Sequence, residues 1–309
     1  MSSYLSLAFV LLALGVLTAA AAVTAMAFAL LRPPRMTDGK AVWVLRRISP
    51  ADLGLGFEDI SFNIRDEQTG QPLRIAGWWM PHPKSIGKCV VLLHGYADAK
   101  VGSIAWAPVW QSLGYDVLAI DLRAHGESGG VYCTAGFWER HDLCQVLGQF
   151  RAEHPAAKEL VLFGVSLGAA TAAATAALRN DIAAVVLESP PADFRNAAMA
   201  HMEHLGAPGR LFQKLALWLA GRLARCEFAE VRPMDLLSKI PCPVMIIAPD
   251  DDPMVSDAER SEIKQALDAR GGAPQDVYWP VSTGHMLAIQ AHRAGYEEQL
   301  RNFLGALKR

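Results

Sequence analysis

An excess of charge of either sign is what this sequence most plainly lacks. Its 29 Lys and Arg residues nearly balance 31 Asp and Glu, so a net charge of −2 gives no electrostatic argument for a nucleic-acid partner. Paired cysteines are missing as well. Cys89, Cys133, Cys144, Cys226 and Cys242 are odd in number and scattered, and no two are spaced Cys-x-x-Cys. That spacing removes support for zinc or thioredoxin-like redox chemistry, and the five read as small buried hydrophobes. No internal repeat occurs, and low complexity is confined to an alanine-rich N-terminus and one later alanine-rich helix. With 52% hydrophobic and 19% charged residues, the chain can bury a sizeable core in one large domain or two smaller ones.

The longest absence of charge runs from Tyr4 to Leu31, where most positions are Leu, Ala, Val or Phe. That exceeds the roughly 20 residues a helix needs to cross a bilayer. A secretory signal has a shorter apolar centre of about 7–15 residues behind a basic start. Here the span is preceded by Met1-Ser2-Ser3 with no Lys or Arg, so a retained membrane anchor over residues 1–31 is expected. Cleavage at Ala25-Met26-Ala27, releasing a secreted protein, is the alternative. Arg32, Arg35, Lys40, Arg46 and Arg47 follow the span, and the positive-inside bias then favours a cytoplasmic catalytic domain. Arg32-Pro33-Pro34-Arg35 ends the helix and opens a linker over residues 32–56.

From Phe57 onward the pattern is that of a folded domain. Phe57 to Ile64 and Leu73 to Met80 suggest an antiparallel hairpin about a Gln68-Thr69-Gly70-Gln71-Pro72 turn. Lys88 to Leu93, Gly114 to Ile120, Leu160 to Phe163, Ile182 to Leu187 and Val244 to Ala248 are continuous apolar runs. Ile104 to Leu113 is helical in pattern. Strands apolar on both faces belong in a parallel sheet covered by helices, which makes the class α/β. Over fifty residues separate Glu188 from Pro243, a length that suggests a helical insertion over about 189–240. Within it, Arg210 to Leu223 has an apolar face, expected either in the core, on an inserted cap or at a membrane surface beside Arg210, Lys214, Arg222 and Arg225.

One stretch carries the chemistry. The apolar run Leu160 to Phe163 ends in Gly164-Val165-Ser166-Leu167-Gly168, and an alanine-rich helix follows at once through Leu178. A turn that tight strains the serine backbone and leaves no room for side chains at the two glycines. It lifts the Ser166 hydroxyl clear of the sheet, and the helix start offers free N–H groups, that of Leu167 first, to a developing negative charge. Serine needs a base, and the base an orienting acid. Pro249-Asp250-Asp251-Asp252-Pro253-Met254-Val255 follows one later apolar strand, and Gly284-His285-Met286 follows another over Gln275 to Trp279. The order Ser…Asp…His is the one a strand–turn–helix serine predicts.

These motifs resemble the α/β-hydrolase superfamily, nearest its serine aminopeptidase, monoacylglycerol lipase and short-chain esterase branch. His94-Gly95-Tyr96 resembles the loop carrying half of that family's oxyanion hole. Asp121-Leu122-Arg123-Ala124-His125-Gly126-Glu127-Ser128 resembles its Asp-x-Arg-Gly-His-Gly-x-Ser run, with Ala124 in place of Gly, and Glu188-Ser189-Pro190 its strand-closing segment. The likeness covers residues 57–309. It implies a nucleophile at Ser166, a base at His285 and an oxyanion hole from the backbone of Tyr96 and Leu167. The family's acid turn, aligned on Val255, puts the acid at Asp252, with Asp250 and Asp251 as alternatives. A dehalogenase would carry Asp at position 166 and a dienelactone hydrolase Cys.

The expected function is a serine hydrolase cleaving a carboxylic ester or lipid-like substrate through an acyl-enzyme, without metal or organic cofactor. A peptidase or an acyltransferase on the same fold is the alternative, and a non-catalytic binding protein the rival of another class. Peptidases of this branch gather acidic residues on the cap; Glu203, Glu227 and Glu230 are there without any sign of converging. His94 and His125 are expected to brace the site, and His141-Asp142 to begin a helix. His201 and His204 have helical spacing for a shared metal, yet no further ligand pattern accompanies them.

Overall fold

The computed structural model describes residues 2–204, 206, 209–270 and 275–307. The charge-free N-terminus is a single helix, α1 (Ser2–Leu31), long and apolar enough to cross a membrane. Pro33 and Pro34 halt it, because proline offers no N–H to continue the ladder. The segment that follows is not wholly irregular: α2 (Asp38–Leu45) forms there, with the Thr37 hydroxyl accepting from the Lys40 N–H.

Eight strands make one sheet: β1 (Glu58–Arg65), β2 (Pro72–Met80), β3 (Lys88–Leu93), β4 (Asp116–Ile120), β5 (Glu159–Val165), β6 (Ala184–Glu188), β7 (Val244–Pro249) and β8 (Val277–Val281). Their order is β1-β2-β4-β3-β5-β6-β7-β8. β1 and β2 form the antiparallel hairpin, β2 is antiparallel to β4, and from β4 to β8 all neighbours are parallel. Alternate residues of β3 enter different cores, Val91 and Leu93 on one face and Val90 and Leu92 on the other. The central parallel strands are mostly apolar for that reason, while the edge strand β8 is only half-buried.

Helices cover both faces. α3 (Lys100–Ser103) and α4 (Ala107–Ser112) lie between β3 and β4, joined by a tight turn over Ile104–Trp106. The helical pattern expected over Ile104 to Leu113 is that turn followed directly by α4, with Pro108 in the first turn of α4. α5 (Glu139–Glu153) and α6 (Leu167–Ala176) flank β5, and α5 starts ahead of His141-Asp142. Its first residue explains this: the buried Glu139 carboxylate accepts from the N–H groups of Thr134 and Gly136 and holds the entering loop. The insertion between β6 and β7 carries α7 (Phe194–His204), α8 (Arg210–Ala224) and the short α9 (Pro233–Leu236). α10 (Asp257–Asp268), α11 (Ala288–Ala291) and α12 (Arg293–Ala306) complete the chain. Cys89, Cys133 and Cys242 are buried as expected, whereas Cys144 and Cys226 are half-buried, and all five are free.

α1 is not a detached rod. Ala27 and Leu31 belong to the core under α5 and α6, while Val23, Met26 and Leu30 share a cluster with Ala198 and Met202 of α7 and Ala216 and Leu217 of α8. Below the site, the buried Arg123 guanidinium donates to both carboxylate oxygens of Asp142 at 2.6 and 2.7 Å and to Asp66 at 2.9 Å. Arg123→Ala strands two carboxylates in a low-dielectric interior and is expected to destabilise the fold by about 3–5 kcal/mol, read by urea unfolding. A loss below about 1 kcal/mol would show that water reaches both carboxylates freely.

Candidate active site

The site begins with a backbone constraint. Ser166 sits between β5 and α6 at φ 51° and ψ −113°, a conformation that costs a non-glycine residue about 1–3 kcal/mol. A Cβ at Gly164 would collide with the carbonyl of Gly168, and one at Gly168 with the carbonyls of Leu93 and His94. Glycine at both positions lets the first turn of α6 rest against the end of β3. Leu167 opens α6, where N–H groups have no partner within the helix.

The loop after β7 brings Asp252, rather than either neighbour, to His285. Its Oδ2 lies 2.6 Å from His285 Nδ1, and Oδ1 accepts from the Met254 N–H at 2.8 Å. A carboxylate accepts, so Nδ1 carries the proton and Nε2 is left as the basic nitrogen. Asp252 is buried; Asp250 and Asp251 are exposed, and Asp250 accepts from the Ser282 hydroxyl. Ser166, His285, Tyr96 and Leu167 all line one cavity of about 360 Å³. Four of the residues singled out in the sequence thus line a single concavity, and Asp252 reaches it through His285.

Beneath it, histidines brace the loops. His94 is fully buried, and burial first, then the neighbouring His125, holds its pKa well below the ordinary histidine value. The Leu122 N–H donates to its Nε2 at 3.0 Å, so Nδ1 carries the hydrogen and donates to the Gly95 carbonyl at 2.7 Å. His125 packs edge-on against it, with 4.8 Å between ring centroids. Ala124, where the related motif has glycine, adopts φ 60°. The position keeps a left-handed backbone and carries the strain of a Cβ there.

Several contributors were not legible as such. Leu30 and Pro34, at and just beyond the end of α1, line the same cavity, as do His201, Met254 and Met286. Glu188, read only as part of a strand-closing motif, is completely buried behind the site. Burial drives its pKa up to about 7, against the opposing hydrogen bonds donated by Tyr296 and Trp106. A larger cavity, about 920 Å³, opens between α7 and α8, but its lining residues include neither Ser166 nor His285. Among the described residues no group of three or more His, Cys, Asp or Glu is placed to hold a metal. The side chain of His204 lies outside the described residues. Glu203, Glu227 and Glu230 turn to separate partners: Arg210, the Ala229 N–H and Arg140.

The sequence model for a family described as serine aminopeptidase, S33, matches residues 84–239, about half of the chain. The protein belongs to this S33 serine aminopeptidase family. It is a hydrolase of the α/β-hydrolase superfamily. Among curated relatives, the uncharacterized protein YqkD of Bacillus subtilis is 27% identical over 229 residues, covering 72% of each chain. The polyketide transferase ATR5 of Stachybotrys chlorohalonatus is 25% identical over 306 residues, covering 82% of this chain and 97% of that one. The structure of the Pyrococcus furiosus esterase Pf2001 superposes with a TM-score of 0.71 at 24% identity, covering 89% of this chain and 99% of that chain. At that identity the likeness concerns the fold.

Glu188 gives this S33 hydrolase a defined pH signature. Its carboxyl titrates at about 7 when folded against an ordinary 4.5. The neutral acid is therefore the form that folding favours, and its contribution is present below pH 4.5 and lost as pH rises through 7. The loss is on the order of 3 kcal/mol. Glu188→Gln should flatten the decline in unfolding free energy between pH 5 and pH 8. Equal slopes for the two proteins would show that the buried carboxyl is not the titrating group.

Proposed function

We propose that the protein is a membrane-anchored serine hydrolase that cleaves carboxylic esters bearing an apolar acyl group. The observation that carries this reading is the 2.6 Å contact of His285 with Asp252 at a cavity that Ser166 also lines. His285 Nε2 takes the proton as Ser166 Oγ attacks the ester carbonyl, and Asp252 holds the imidazole in the required tautomer and stabilises its cation. The oxyanion is met by the backbone N–H groups of Leu167 and Tyr96, each contributing about 2.7–4 kcal/mol to the transition state. His285 then protonates the departing alkoxide, leaving the acyl group on Ser166. Water, deprotonated by His285, attacks that acyl-enzyme and releases the acid and free Ser166.

Support for an ester over a peptide comes from the walls. Leu30, Phe194, Ala197, Ala198, Met254 and Met286 make the cavity mainly apolar. No acidic cluster from Glu203, Glu227 and Glu230 is available there for a peptide amino terminus. Acyl transfer to an acceptor other than water is the second reading, favoured by the relative named as a polyketide transferase, which this chain matches over almost its whole length. The insertion over about 189–240 acts in this reading as a cap, and residues 1–31 as the anchor.

A fluorophosphonate probe should label the full-length protein and fail to label Ser166→Ala. Asp252→Asn should lower kcat on p-nitrophenyl esters by roughly 10³–10⁴-fold. Labelling that persists in folded Ser166→Ala would remove the serine from the mechanism. For the anchor, the intact chain should remain with membranes through alkaline carbonate extraction; a soluble product with a new N-terminus near Phe28 would mark a cleaved signal.

A further inference from the structure

The last turn of an α-helix leaves four carbonyls without partners inside the helix. In α1 all four are satisfied, three of them by the rest of the protein. The Tyr96 hydroxyl donates to the carbonyls of Ala29 at 2.7 Å and Leu30 at 3.1 Å. The Cys133 N–H donates to that of Leu31 at 2.8 Å, and Phe28 is met locally by Arg32. Three residues on, the Arg35 guanidinium donates to the carbonyls of His125, Gly126, Ser128 and Gly130. These bonds tie the end of the bilayer-length helix to the loop after β3, which lines the cavity, and to the loop after β4 beneath it. The side chains of Leu30 and Pro34 then reach the cavity itself.

We infer that the end of α1 is a wall of the substrate pocket, and that the substrates are esters whose acyl chain lies along Leu30 and Pro34, supplied from the lipid surface the helix enters. This deepens the esterase reading and rests on it for the ester. Phe194, Ala197 and Ala198 of α7 line the same pocket, so the end of α1 and the insertion both wall it. At about 360 Å³ the pocket is near the lower end of the usual range for ligand sites, which suits one acyl chain of modest length. The neighbouring surface fits a lipid supply. Leu211, Leu215 and Trp218 stand exposed on α8, a helix without a single acidic residue that packs alongside α1. The Tyr96 hydroxyl positions rather than reacts. Its bonds to α1 fix the loop whose N–H is the second oxyanion donor.

Full-length wild type, Leu30→Trp and Pro34→Trp, reconstituted in nanodiscs, would be compared on p-nitrophenyl acetate and p-nitrophenyl dodecanoate. The ratio of kcat/KM for dodecanoate to that for acetate should fall at least tenfold in both variants. Pro34 is exposed, so its variant folds even where Leu30→Trp disturbs the packing of α1. A second measurement needs no turnover. A dodecanoic acid with a terminal diazirine should photolabel Met254 or Met286, and both Trp variants should lose that adduct at least fivefold. Wild type that cleaves neither ester, yet gives the adduct and loses it in the variants, would end the esterase reading and leave the wall standing. An unchanged ester ratio with an unchanged adduct in the folded variants would overturn the wall. Tyr96→Phe should lower kcat on both esters together at an unchanged ratio; a changed ratio would assign the hydroxyl to the pocket instead.

Discussion

The first turn of α6 lies so close to the ends of β3 and β5 that no side chain fits between them. Gly168 faces the carbonyls of Leu93 and His94, and Gly164 faces the carbonyl of Gly168. Everything around the site follows from that approach. It forces Ser166 into its positive φ, presents the helix start beside the serine, and sets the loop after β3 alongside. That loop carries Tyr96 and is braced in turn by His94, whose ring joins the Gly95 carbonyl to the Leu122 N–H. A methyl group at either glycine would move α6 and β3 apart, and with them Leu167 and the loop that carries Tyr96. The strain at Ser166 is sustained because the sheet and helix on both sides over-determine it.

Two carboxyl groups near His285 show how environment divides similar chemistry. Asp252 accepts from the imidazole and from the Met254 N–H, so its charge is met on both oxygens. Glu188 is enclosed more deeply, among Tyr296, Trp106 and the strand ends, and desolvation outweighs the donors it has. The hydrogen bonds from Tyr296 and Trp106, and last the nearby His285, pull the Glu188 pKa down without overcoming burial. Asp252 orients the ring through its contact with Nδ1, whereas Glu188 holds its proton until the pH approaches neutrality.

How far the sequence could be read depended on the range of each interaction. The sheet was legible because strands buried on both faces leave long apolar runs. The candidate serine and aspartate stood out because each follows such a run within a short motif, and the candidate histidine because Gly284-His285 follows a later, half-buried strand. Asp252 was separable from Asp250 and Asp251 only by alignment on Val255, and burial now gives the physical difference. A boundary shifted where a side chain acts across a turn: Glu139 starts α5 early by binding the loop before it. Cys144, on α5, and Cys226, just beyond the end of α8, escaped full burial because composition reports a tendency and says nothing of where the fold places each residue. Leu30, Pro34 and His201 carried no local signal at all, since their place at the cavity is fixed by contacts scores of residues away, such as that of Tyr96 with Ala29.

Those distant contacts also bear on what α1 is for. A helix that merely tethers a domain needs its last carbonyls capped only by water. Here Tyr96, Cys133 and the folded loops do so, and Arg35 adds four more backbone partners directly beyond. A cut after Ala27 would leave residues 28–31 as one isolated turn, too short to hold helical geometry alone. Val23 and Met26, which pack with α7 and α8, would be gone, and Ala216 and Leu217 would face water where they now face α1. The loss would reach the site through Tyr96, because its hydroxyl bonds to carbonyls whose positions depend on the helix continuing. The bonds that hold the end of α1 and those that place the loop carrying Tyr96 are thus one set.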